Sequence, residues 1–512
     1  MFEIELKFQL PDASRRAVDA AVRTADSRRT HLQAIYFETP DGRLAAAGLA
    51  LRLRKEGRRW VQTLKAAGPN AMQRFEHEVA LTGAMSVPAG AVPGADPLRH
   101  AGTPVGDRLA AALAARQGEV APPRLAALYR TDIWRRARTL RAAGGSVELA
   151  FDSGEIVAGS RRWPVCELEI ELVRGRPLAV IDVARRWVRR HGLWLDVRSK
   201  AERGDRLARD ATPVPAVKAG ALRLARETSA DVALQAVIAN CLQQILPNAS
   251  EIAGGKWNDE HVHQLRVGLR RLRSALRFFD GWTARIEPSW DERLAALFRQ
   301  LGVVRDRDAL AAWLLPALRE AGAPLFELPP APEAPTPTEL LRANAATLLL
   351  LDLLAGQLDA AEPPALQPAT TSAADVLPAP AQQLADAVAD RLQRWHRRVV
   401  RAARRYEELD DVARHTLRKR VKRLRYAVEF VAALFKGKAV ARYLALLAPV
   451  QDSLGRYNDL CVGLATYRGA VGDDPRAWFA IGWLTARRDA LLAEGAAALK
   501  DFARCEPFWK GR

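Results

Sequence analysis

The N-terminal part of the chain alternates apolar and charged residues, whereas the remainder repeats apolar residues at helical spacing. The alternation is plain at residues 2–8, 51–54, 74–78 and 166–172, which we predict to be strands with one apolar and one charged face. Acids gather on the terminal strands and bases on the middle ones. An antiparallel barrel can turn such faces inward around a polar tunnel and pack helices, predicted at 12–25 and 178–191, on its apolar outside.

The C-terminal part contains one basic helix written twice. Residues at three- and four-residue spacing share a helix face, and apolar residues such as Leu265 and Leu417 form the opposite, core-facing stripe. The basic face carries His263, Arg266, Arg270, Arg273 and Arg277 in the first copy, and His415, Arg418, Lys422 and Arg425 in the second. A Leu-Gly pair follows each copy in nearly the same register, at Leu301 and Leu454. The pattern indicates an internal duplication of an all-α domain.

Charge sets the expected class of partner. A row of like charges at i,i+4 destabilises a helix, so it favours a helix face that meets an anion. The net charge of +19 and the isoelectric point near 10.3 agree with a polyanionic partner: nucleic acid, an anionic membrane or a phosphate polymer. A single solvated basic face would be unexceptional in an arginine-rich protein. Its repetition, each time headed by histidine, favours ligand binding.

The length of 512 residues predicts two or three domains. Prolines near 212–217 mark the boundary between the α+β barrel and the all-α bundle, and Pro- and Ala-rich stretches at 323–338 and 361–380 predict connectors. We therefore predict domains at 1–207 and 219–509, a linker at 208–218, and helical repeats at about 219–322 and 381–509.

Four scattered cysteines, the lack of a signal peptide and the lack of a long apolar run predict a cytoplasmic protein with reduced, mostly buried thiols.

Carboxylates in the predicted tunnel indicate a metal site. Two carboxylates at i and i+2 project to the same side of a strand, as in Glu3-x-Glu5 and Glu167-x-Glu169, so two such pairs could converge. Hard oxygen ligands suit Mg²⁺ or Mn²⁺, which bridge to phosphate oxygens. Forked arginine donors and lysine point charges suit the phosphates themselves.

The ordered motifs of the N-terminal part resemble the CYTH, or triphosphate tunnel metalloenzyme, family over residues 1–207. They are Glu3-x-Glu5-x-Lys7, Tyr36-Phe-Glu-Thr39, Leu51-Arg-Leu-Arg54, Lys65, Thr131-Asp132, Cys166-Glu-Leu-Glu169 and Ser199-Lys200. Glu38 stands where the family commonly has aspartate. The two histidine-headed helices and the Leu-Gly echoes resemble the CHAD family, a conserved-histidine α-helical domain, over residues 219–509. The tandem order is similar to bacterial CYTH-CHAD proteins described as inorganic triphosphatases.

The CYTH resemblance implies roles for individual residues. It implies metal binding by Glu3, Glu5, Glu167 and Glu169, with Asp152 as a further ligand; catalytic roles for Glu3, Glu5, Lys7 and Lys65; and triphosphate binding by Arg52, Arg54, Arg74, Arg135 and Lys200. The CHAD resemblance implies that the two basic helices bind inorganic polyphosphate.

Several functions remain compatible with these residues. The leading hypothesis is Mg²⁺- or Mn²⁺-dependent hydrolysis of tripolyphosphate to diphosphate and phosphate. A thiamine triphosphatase or an adenylate cyclase would use the same tunnel, although no aromatic clamp for a base is evident. A non-enzymatic polyphosphate-binding adaptor is disfavoured, because four converging carboxylates add nothing to an anion binder. A nucleic-acid binder would fit the basic helices, but no recognised nucleic-acid motif accompanies them.

Overall fold

The computed structural model describes residues 2–57, 59–81, 94–116, 121, 123–211, 214–324, 333–358 and 381–509, with only the backbone described at 304–309 and 381–383. The predicted connector at 361–380 lies outside the described residues, as do parts of the loops predicted at 88–105 and 323–338. Within this part of the chain, no helix is both long enough and apolar enough to cross a membrane.

Eight long strands build the N-terminal fold, and the four segments that alternate in the sequence all lie within them. They are β1 (Phe2–Gln9), β2 (Arg28–Glu38), β3 (Leu49–Glu56), β4 (Arg59–Ala67), β5 (Gln73–Leu81), β6 (Ala126–Ala142), β7 (Gly145–Ala158) and β8 (Arg161–Gly175). They pair antiparallel in the order β5-β4-β3-β2-β6-β7-β8-β1. Because β1 also pairs with β5, the sheet closes into a barrel, and a two-residue strand β9 (Trp194–Leu195) adds to β1.

Short helices lie between and after these strands. They are α1 (Arg15–Val22), α2 (Arg43–Ala46), α3 (Pro104–Leu113), α4 (Leu178–His191) and α5 (Lys200–Arg209). The helix predicted at 178–191 is confirmed. The one predicted at 12–25 is shorter, because a 3₁₀ turn at Asp12–Ser14 precedes α1. Leucines of β3 and β4 pack against α3 in an apolar cluster that leaves the alternate, charged positions facing the barrel interior.

The rest of the chain is helical. Its helices are α6 (Ala230–Ala253), α7 (Asp259–Phe279), α8 (Ser289–Glu320), α9 (Pro337–Arg342), α10 (Asn344–Leu358), α11 (Ala381–Ala403), α12 (Asp411–Val431), α13 (Gly437–Ala470) and α14 (Ala477–Ala503). The two basic helices α7 and α12 are both 21 residues long, and the long helices α8 and α13 follow them. The predicted fold class, an antiparallel barrel followed by a duplicated helical domain, is confirmed.

Contacts divide the chain into two compact units that do not follow the chain order. One unit contains Met1–Val217, Leu242–His261 and Pro337–Asp359; the other contains Lys218–Cys241, Val262–Thr336 and Ala360–Arg512. The second half of α6, together with α9 and α10, therefore belongs to the same unit as the barrel. Helix α10 packs on α4, and Arg185 of α4 pairs with Asp352 of α10 at 2.7 Å. The domain limits at 207 and 219 stay a prediction.

All four cysteines are free thiols. Only Cys241 is buried, whereas Cys166, Cys461 and Cys505 are partly exposed. The expectation of mostly buried thiols is therefore wrong. Cys166 on β8 and Cys461 on α13 lie at partly exposed positions of their elements, and Cys505 follows the end of α14.

Helix α5 approaches the barrel closely at Gly204. A Cβ added there would lie 2.1 Å from Cε2 of Tyr129, which is a buried side chain of β6. Only a residue without a side chain allows α5 to lie this near the strand. The helix begins with a capping box, in which the Ser199 hydroxyl accepts from the Glu202 amide and the Glu202 carboxylate accepts from the Ser199 amide. The cap places Lys200 at the first helical position.

We expect Gly204→Ala to destabilise the barrel unit by about 1–3 kcal/mol, because the added methyl overlaps the Tyr129 ring and must displace α5. The matched control is Gly482→Ala on α14, where a Cβ meets nothing within 4 Å. That change should be neutral or stabilise by up to about 1 kcal/mol, because alanine favours helix over glycine. Urea unfolding of both variants measures the difference; equal midpoints would show that α5 does not depend on this contact.

Candidate functional site

A cavity of about 1130 Å³ lies inside the barrel unit. Charged side chains from β1 to β8 and α5 line it, among them Glu3, Glu5, Lys7, Arg52, Arg54, Lys65, Arg74, Glu76, Glu78, Arg135, Glu148, Asp152, Glu169, Glu171 and Lys200. The strand faces that alternate in the sequence thus turn toward one chamber. Among the lining residues there is neither a histidine nor a cysteine. The cavity can therefore hold an anion and cations, but its described lining lacks the usual side chains of a histidine- or cysteine-based nucleophile.

Three carboxylates meet at one end of the charged lining. Asp152 of β7 lies opposite Glu167 of β8 in the strand register, and Glu169 follows two residues later on the same face. Each offers an oxygen within 4.8 Å of the others, and they form the one cluster of three or more acidic, histidine or cysteine ligands in the described part of the chain. Asp152 and Glu167 are fully buried. Glu167 itself is not among the cavity-lining residues.

An ammonium group lies among these carboxylates. Nζ of Lys200 is 2.6 Å from Asp152, 2.5 Å from Glu167 and 2.8 Å from Glu169. Burial alone would lower the pKa of Lys200, but the three carboxylates raise it above its usual value. Lys200 therefore keeps its positive charge, which offsets the negative charge of the three carboxylates. Oxygen ligands in this number and spacing fit a hard divalent ion such as Mg²⁺ or Mn²⁺. Such an ion would share the site with Lys200 or displace its ammonium group.

Two arginines complete the carboxylate cluster. Arg135 of β6 donates from Nε and Nη2 to Asp152, both at 2.7 Å, and also contacts Glu169. Arg203, three residues after Lys200 on α5, is buried and donates to Glu167. Burial opposes ionisation of Glu169, yet Lys200 and Arg135 hold its pKa well below the usual range. Each carboxylate in the cluster thus has cationic partners.

The first predicted carboxylate pair lies in the same cavity but has separate partners. Glu3 accepts from Lys65 at 2.6 Å, and Lys65 is also 3.2 Å from Glu76. Glu5 pairs with Arg74 at 3.0 Å. Neither Glu3 nor Glu5 belongs to the three-carboxylate cluster. The structure thus places Glu3, Glu5 and Glu169 along one cavity but does not gather the two predicted pairs into one ligand cluster, and metal binding by Glu3 and Glu5 stays a prediction.

The predicted lysine of β1 lies between these two groups of carboxylates. Lys7 lines the cavity and is 6% exposed, and its neighbour across the strands is Glu169. Burial lowers the pKa of Lys7, partly against the attraction of Glu167. Its proton is therefore held less tightly than that of Lys200. The role of Lys7 in catalysis stays a prediction.

Two arginines of β3 form the opposite wall. Arg52 donates to the Tyr36 hydroxyl at 3.3 Å, because the strand register sets these two residues side by side. Arg54 pairs with Glu56 at 2.6 Å and with Glu78 at 3.0 Å. Burial would raise the pKa of Tyr36, but Arg52 lowers it below its usual value. Both arginines are held by groups that an incoming phosphate can replace as acceptor.

Some cavity residues were not predicted as site residues. Tyr36 was quoted only as part of a motif, and the carboxylates Glu76 and Glu78 of β5 were not selected. The alternation of β5 could have indicated both, since they share a strand face with Arg74. Arg203 could have been found from its helical spacing to Lys200. Glu171, on the same face of β8 as Glu167 and Glu169, also lines the cavity, and burial with the nearby Glu3 raises its pKa to about 8.

The departure at Glu38 has a structural explanation. Its carboxylate is buried and accepts the backbone amides of Thr39, Leu44 and Ala45. These amides belong to the turn that begins α2, where unpaired N–H groups attract an anion. Glu38 therefore holds the connection from β2 to β3 at a position that also lines the cavity.

In the other compact unit, the two basic helices bring their charges together. Lys422 of α12 lies in the electrostatic field of Arg270 and Arg266 of α7 and of Arg418 on its own helix, with Asp459 as the opposing charge. Burial and these arginines lower the pKa of Lys422 to about 6. A bound anion would favour the protonated, charged form of Lys422, so this cluster is suited to bind an anion.

A second basic group lies further along the same two helices. Arg273 and Arg277 of α7 bind Asp291 at 2.9 and 2.8 Å. Their charges, after the effect of burial, lower the pKa of Arg423 on α12 to about 10. Arg423 is not among the residues selected from the sequence. The selected residue, Arg425, pairs with Glu429 of its own helix at 2.9 Å. Ligand binding by Arg425 stays a prediction.

Both histidines at the heads of these helices are exposed. Nδ1 of His415 is 2.7 Å from the Asn458 amide oxygen, and burial together with the neighbouring cations lowers the pKa of His415 despite that contact. His263 occupies the corresponding exposed position on α7. Neither histidine is near a cysteine or carboxylate cluster suited to a metal in the described part of the chain.

Known proteins are similar to parts of this chain. The inorganic triphosphatase of Haemophilus influenzae is 27% identical over 169 residues, which cover 33% of this chain and 44% of that protein. A crystal structure of the CHAD domain from the plant Ricinus communis is 26% identical, with a TM-score of 0.44, and matches 57% of this chain and 98% of that one. A putative adenylyl cyclase from Hippeastrum, described as having a dominant triphosphatase activity, is 19% identical, with a TM-score of 0.31, and matches 42% of this chain and 98% of that one.

Two domain models match the chain in succession. The CYTH domain matches residues 1–204, which contain the closed barrel and its charged cavity. The CHAD domain matches residues 236–468, which contain both basic helices. The two resemblances read from the sequence are confirmed, and this chain carries a CYTH domain followed by a CHAD domain.

Proposed function

We propose that the CYTH barrel hydrolyses inorganic tripolyphosphate to diphosphate and phosphate with the help of Mg²⁺ or Mn²⁺. The observation that carries the proposal is the mixed lining of the cavity, where carboxylates outnumber the lysines and arginines that face them. A triphosphate alone would meet repulsion from those carboxylates. A divalent cation held by the carboxylates would supply the positive charge that removes this repulsion. The likeness to an inorganic triphosphatase supports the same substrate class.

The residues fall into two roles. Asp152, Glu167 and Glu169 would hold the divalent cation, which, when bound, neutralises phosphate oxygens and activates water. Arg52 and Arg54 on the opposite wall bind the phosphate chain in forked geometry and stabilise the charge that develops on it. Water attacks the terminal phosphorus, and the bridging oxygen leaves as part of diphosphate.

We also propose that the CHAD helices bind long inorganic polyphosphate. The basic cluster of Arg266, Arg270, Arg418 and Lys422 supports this proposal, because the arginines suppress the charge of Lys422 and a linear polyanion would relieve the repulsion among these cations. The exposed His263 and His415 extend the same helix faces. Affinity should fall steeply with salt, since each phosphate contact releases counterions.

Glu167→Gln should lower the rate of tripolyphosphate hydrolysis about 100-fold or more, because the amide keeps the shape but removes a charge from the metal-binding cluster. Phosphate release with Mg²⁺ and with Mn²⁺ measures it, using tripolyphosphate, thiamine triphosphate, ATP and long polyphosphate as substrates. The matched control is Asp132→Asn, whose carboxylate pairs with His31 at 2.6 Å and does not line the cavity. Wild-type turnover by Glu167→Gln would exclude this cluster as the metal site.

Arg52→Ala and Arg54→Ala should each cost about 2–3 kcal/mol in kcat/KM, because each removes a charge-assisted contact to the phosphate chain. Arg162→Ala provides the control, since Arg162 is half exposed and pairs with Glu155 away from the cavity lining. Steady-state kinetics and thermal unfolding should be measured on the same samples. A lower melting temperature with unchanged kcat/KM would make the two arginines structural.

Polyphosphate binding should take up about one proton near pH 7.5. The pKa of Lys422 is lowered to about 6 in the free protein, and a bound polyanion raises it, so the neutral amine becomes charged on binding. Affinity should therefore decline by up to about tenfold per pH unit above pH 6, until the pKa of the bound state is reached. Calorimetry in two buffers with different ionisation enthalpies measures the uptake.

Lys422→Met should abolish this proton uptake, whereas Lys500→Met, at an exposed lysine of α14, should leave it unchanged. Competition decides the class of ligand. Polyphosphate should displace labelled polyphosphate far better than duplex DNA or RNA of equal charge does. Equal displacement by nucleic acid would reduce the cluster to a general basic surface.

A further inference from the structure

A helix that follows the CYTH match in the chain, α6, lies against α5 of the barrel. Residues Leu242–His261, which include the end of α6, belong to the same compact unit as the barrel. Leu242, Leu246 and Pro247 of α6 also line the barrel cavity. Residue 251 lies within the region that matches the CHAD domain, not the CYTH domain. Residues outside the CYTH match therefore complete the barrel unit.

One carboxylate of α6 binds arginines at both ends of α5. Glu251 is 5% exposed. Its Oε2 accepts from Nη1 of Arg198, which directly precedes the Ser199 cap, at 3.2 Å, and its Oε1 accepts from Arg206 in the last turn. The side chains that reach the carboxylate cluster, Lys200 and Arg203, lie between these two arginines. Glu251 thus holds the helix segment that presents both cations.

The neighbouring contacts point the same way. The Ser250 hydroxyl accepts from the Val197 amide at 3.1 Å, so two successive residues of α6 hold the segment that leads into α5. Beyond the end of α6, a Cβ on Gly254 would lie 2.5 Å from Nη2 of Arg198. The arginine therefore packs where only glycine leaves room. Its positive charge also lies near the C-terminal end of a helix, where carbonyl dipoles favour cations.

A chain of hydrogen bonds continues from Glu251 to the carboxylate cluster. Arg198 donates to Asp196 from Nε at 2.8 Å and from Nη2 at 2.9 Å. Gln9 of β1 donates from Nε2 to both Asp196 and Glu167, each at 3.1 Å. Buried charges connected in this manner have little freedom to move independently, since each loses its partner if it shifts. Glu251 is therefore linked to Glu167 by two routes, through α5 and through Gln9.

We infer that Glu251 is a positioning residue for the barrel's reaction: it fixes α5, and through α5 it sets where Lys200 and Arg203 meet the carboxylate cluster. The expected effect on activity rests on the proposed hydrolysis of triphosphates. The placement of α5 by Glu251 rests on the contacts alone. It makes the activity of the CYTH barrel depend on a residue supplied by the CHAD region. Displacement of a charged group by about 1 Å can cost about 100-fold in rate, so a loosened α5 should be measurable.

The test uses the full chain with four variants. Glu251→Gln removes the charge that holds both arginines, and Glu251→Asp keeps the charge on a shorter arm. Ser250→Ala removes only the hydroxyl that holds Val197. Asp352→Asn is the matched control, because it weakens another ion pair between a helix outside the CYTH match and a helix inside it. This pair is the 2.7 Å contact of Asp352 on α10 with Arg185 on α4, and neither residue lines the cavity.

Two readouts separate this inference from the proposed function. Hydrogen–deuterium exchange of α5 needs no activity, and it should rise in Glu251→Gln, rise less in Ser250→Ala and Glu251→Asp, and stay unchanged in Asp352→Asn. With tripolyphosphate, kcat/KM should fall about 10- to 100-fold in Glu251→Gln, be partly restored in Glu251→Asp and stay within twofold in Asp352→Asn. Circular dichroism at the assay temperature confirms that each variant is folded.

Each outcome decides one of the two claims. If the wild-type protein hydrolyses no triphosphate, the proposed function fails, and exchange of α5 still decides whether Glu251 positions the helix. Unchanged α5 exchange in Glu251→Gln overturns the inference whatever the activity. So does raised exchange with unaltered kcat/KM in an active enzyme, or an equal loss in Asp352→Asn, which would indicate general loosening of the unit. If Glu251→Gln does not fold, the Ser250→Ala and Glu251→Asp variants decide whether Glu251 positions α5.

Discussion

Charges buried inside the barrel have to be paired, because an isolated ion removed from water costs several kcal/mol. The cavity meets this constraint by alternating signs across neighbouring strands: Lys65 lies opposite Glu76, and Arg135 lies opposite Asp152. The strand register, not only the residue types, therefore determines which charges neutralise one another. The same pairing keeps every cation in place before a phosphate arrives, so little reorganisation is needed when one binds.

This balance explains why the barrel needs elements outside its strands. The carboxylate cluster carries more negative charge than the strands alone compensate, and α5 supplies Lys200 and Arg203 to it. A short helix of ten residues has little stability by itself. Its position depends on its capping box, on the close contact at Gly204 and on Glu251 of α6. The ionic contacts thus run from Glu251 through α5 to the carboxylate cluster, and each group holds the next one in place.

The CHAD helices resolve the same constraint in the opposite way. In the cluster around Lys422, like charges face one another, and the cost appears as a pKa lowered to about 6. Asp291 relieves the second group by binding Arg273 and Arg277. A domain that stores repulsion of this kind gains stability from a polyanion, whereas the barrel, with its paired charges, needs cations together with the anion. Under the proposed functions, the barrel takes a triphosphate together with divalent cations, and the CHAD helices take a long polyphosphate.

Sequence periodicity by itself determined four of the barrel strands (β1, β3, β5 and β8), the outer helix α4 and the two basic helices, because a side-chain period of two or of 3.6 reports directly on which faces are buried. The family resemblance of the N-terminal part implied that Arg52, Lys65, Asp152 and Lys200 belong to one site, and all four line the cavity. Only the tertiary structure decided which charges touch. It placed Lys200 among three carboxylates and left Glu3 and Glu5 with other partners, since strand register is not encoded in the alternation. It also assigned part of α6 to the barrel unit, because such contacts join residues far apart in the chain, for which a local pattern carries no signal.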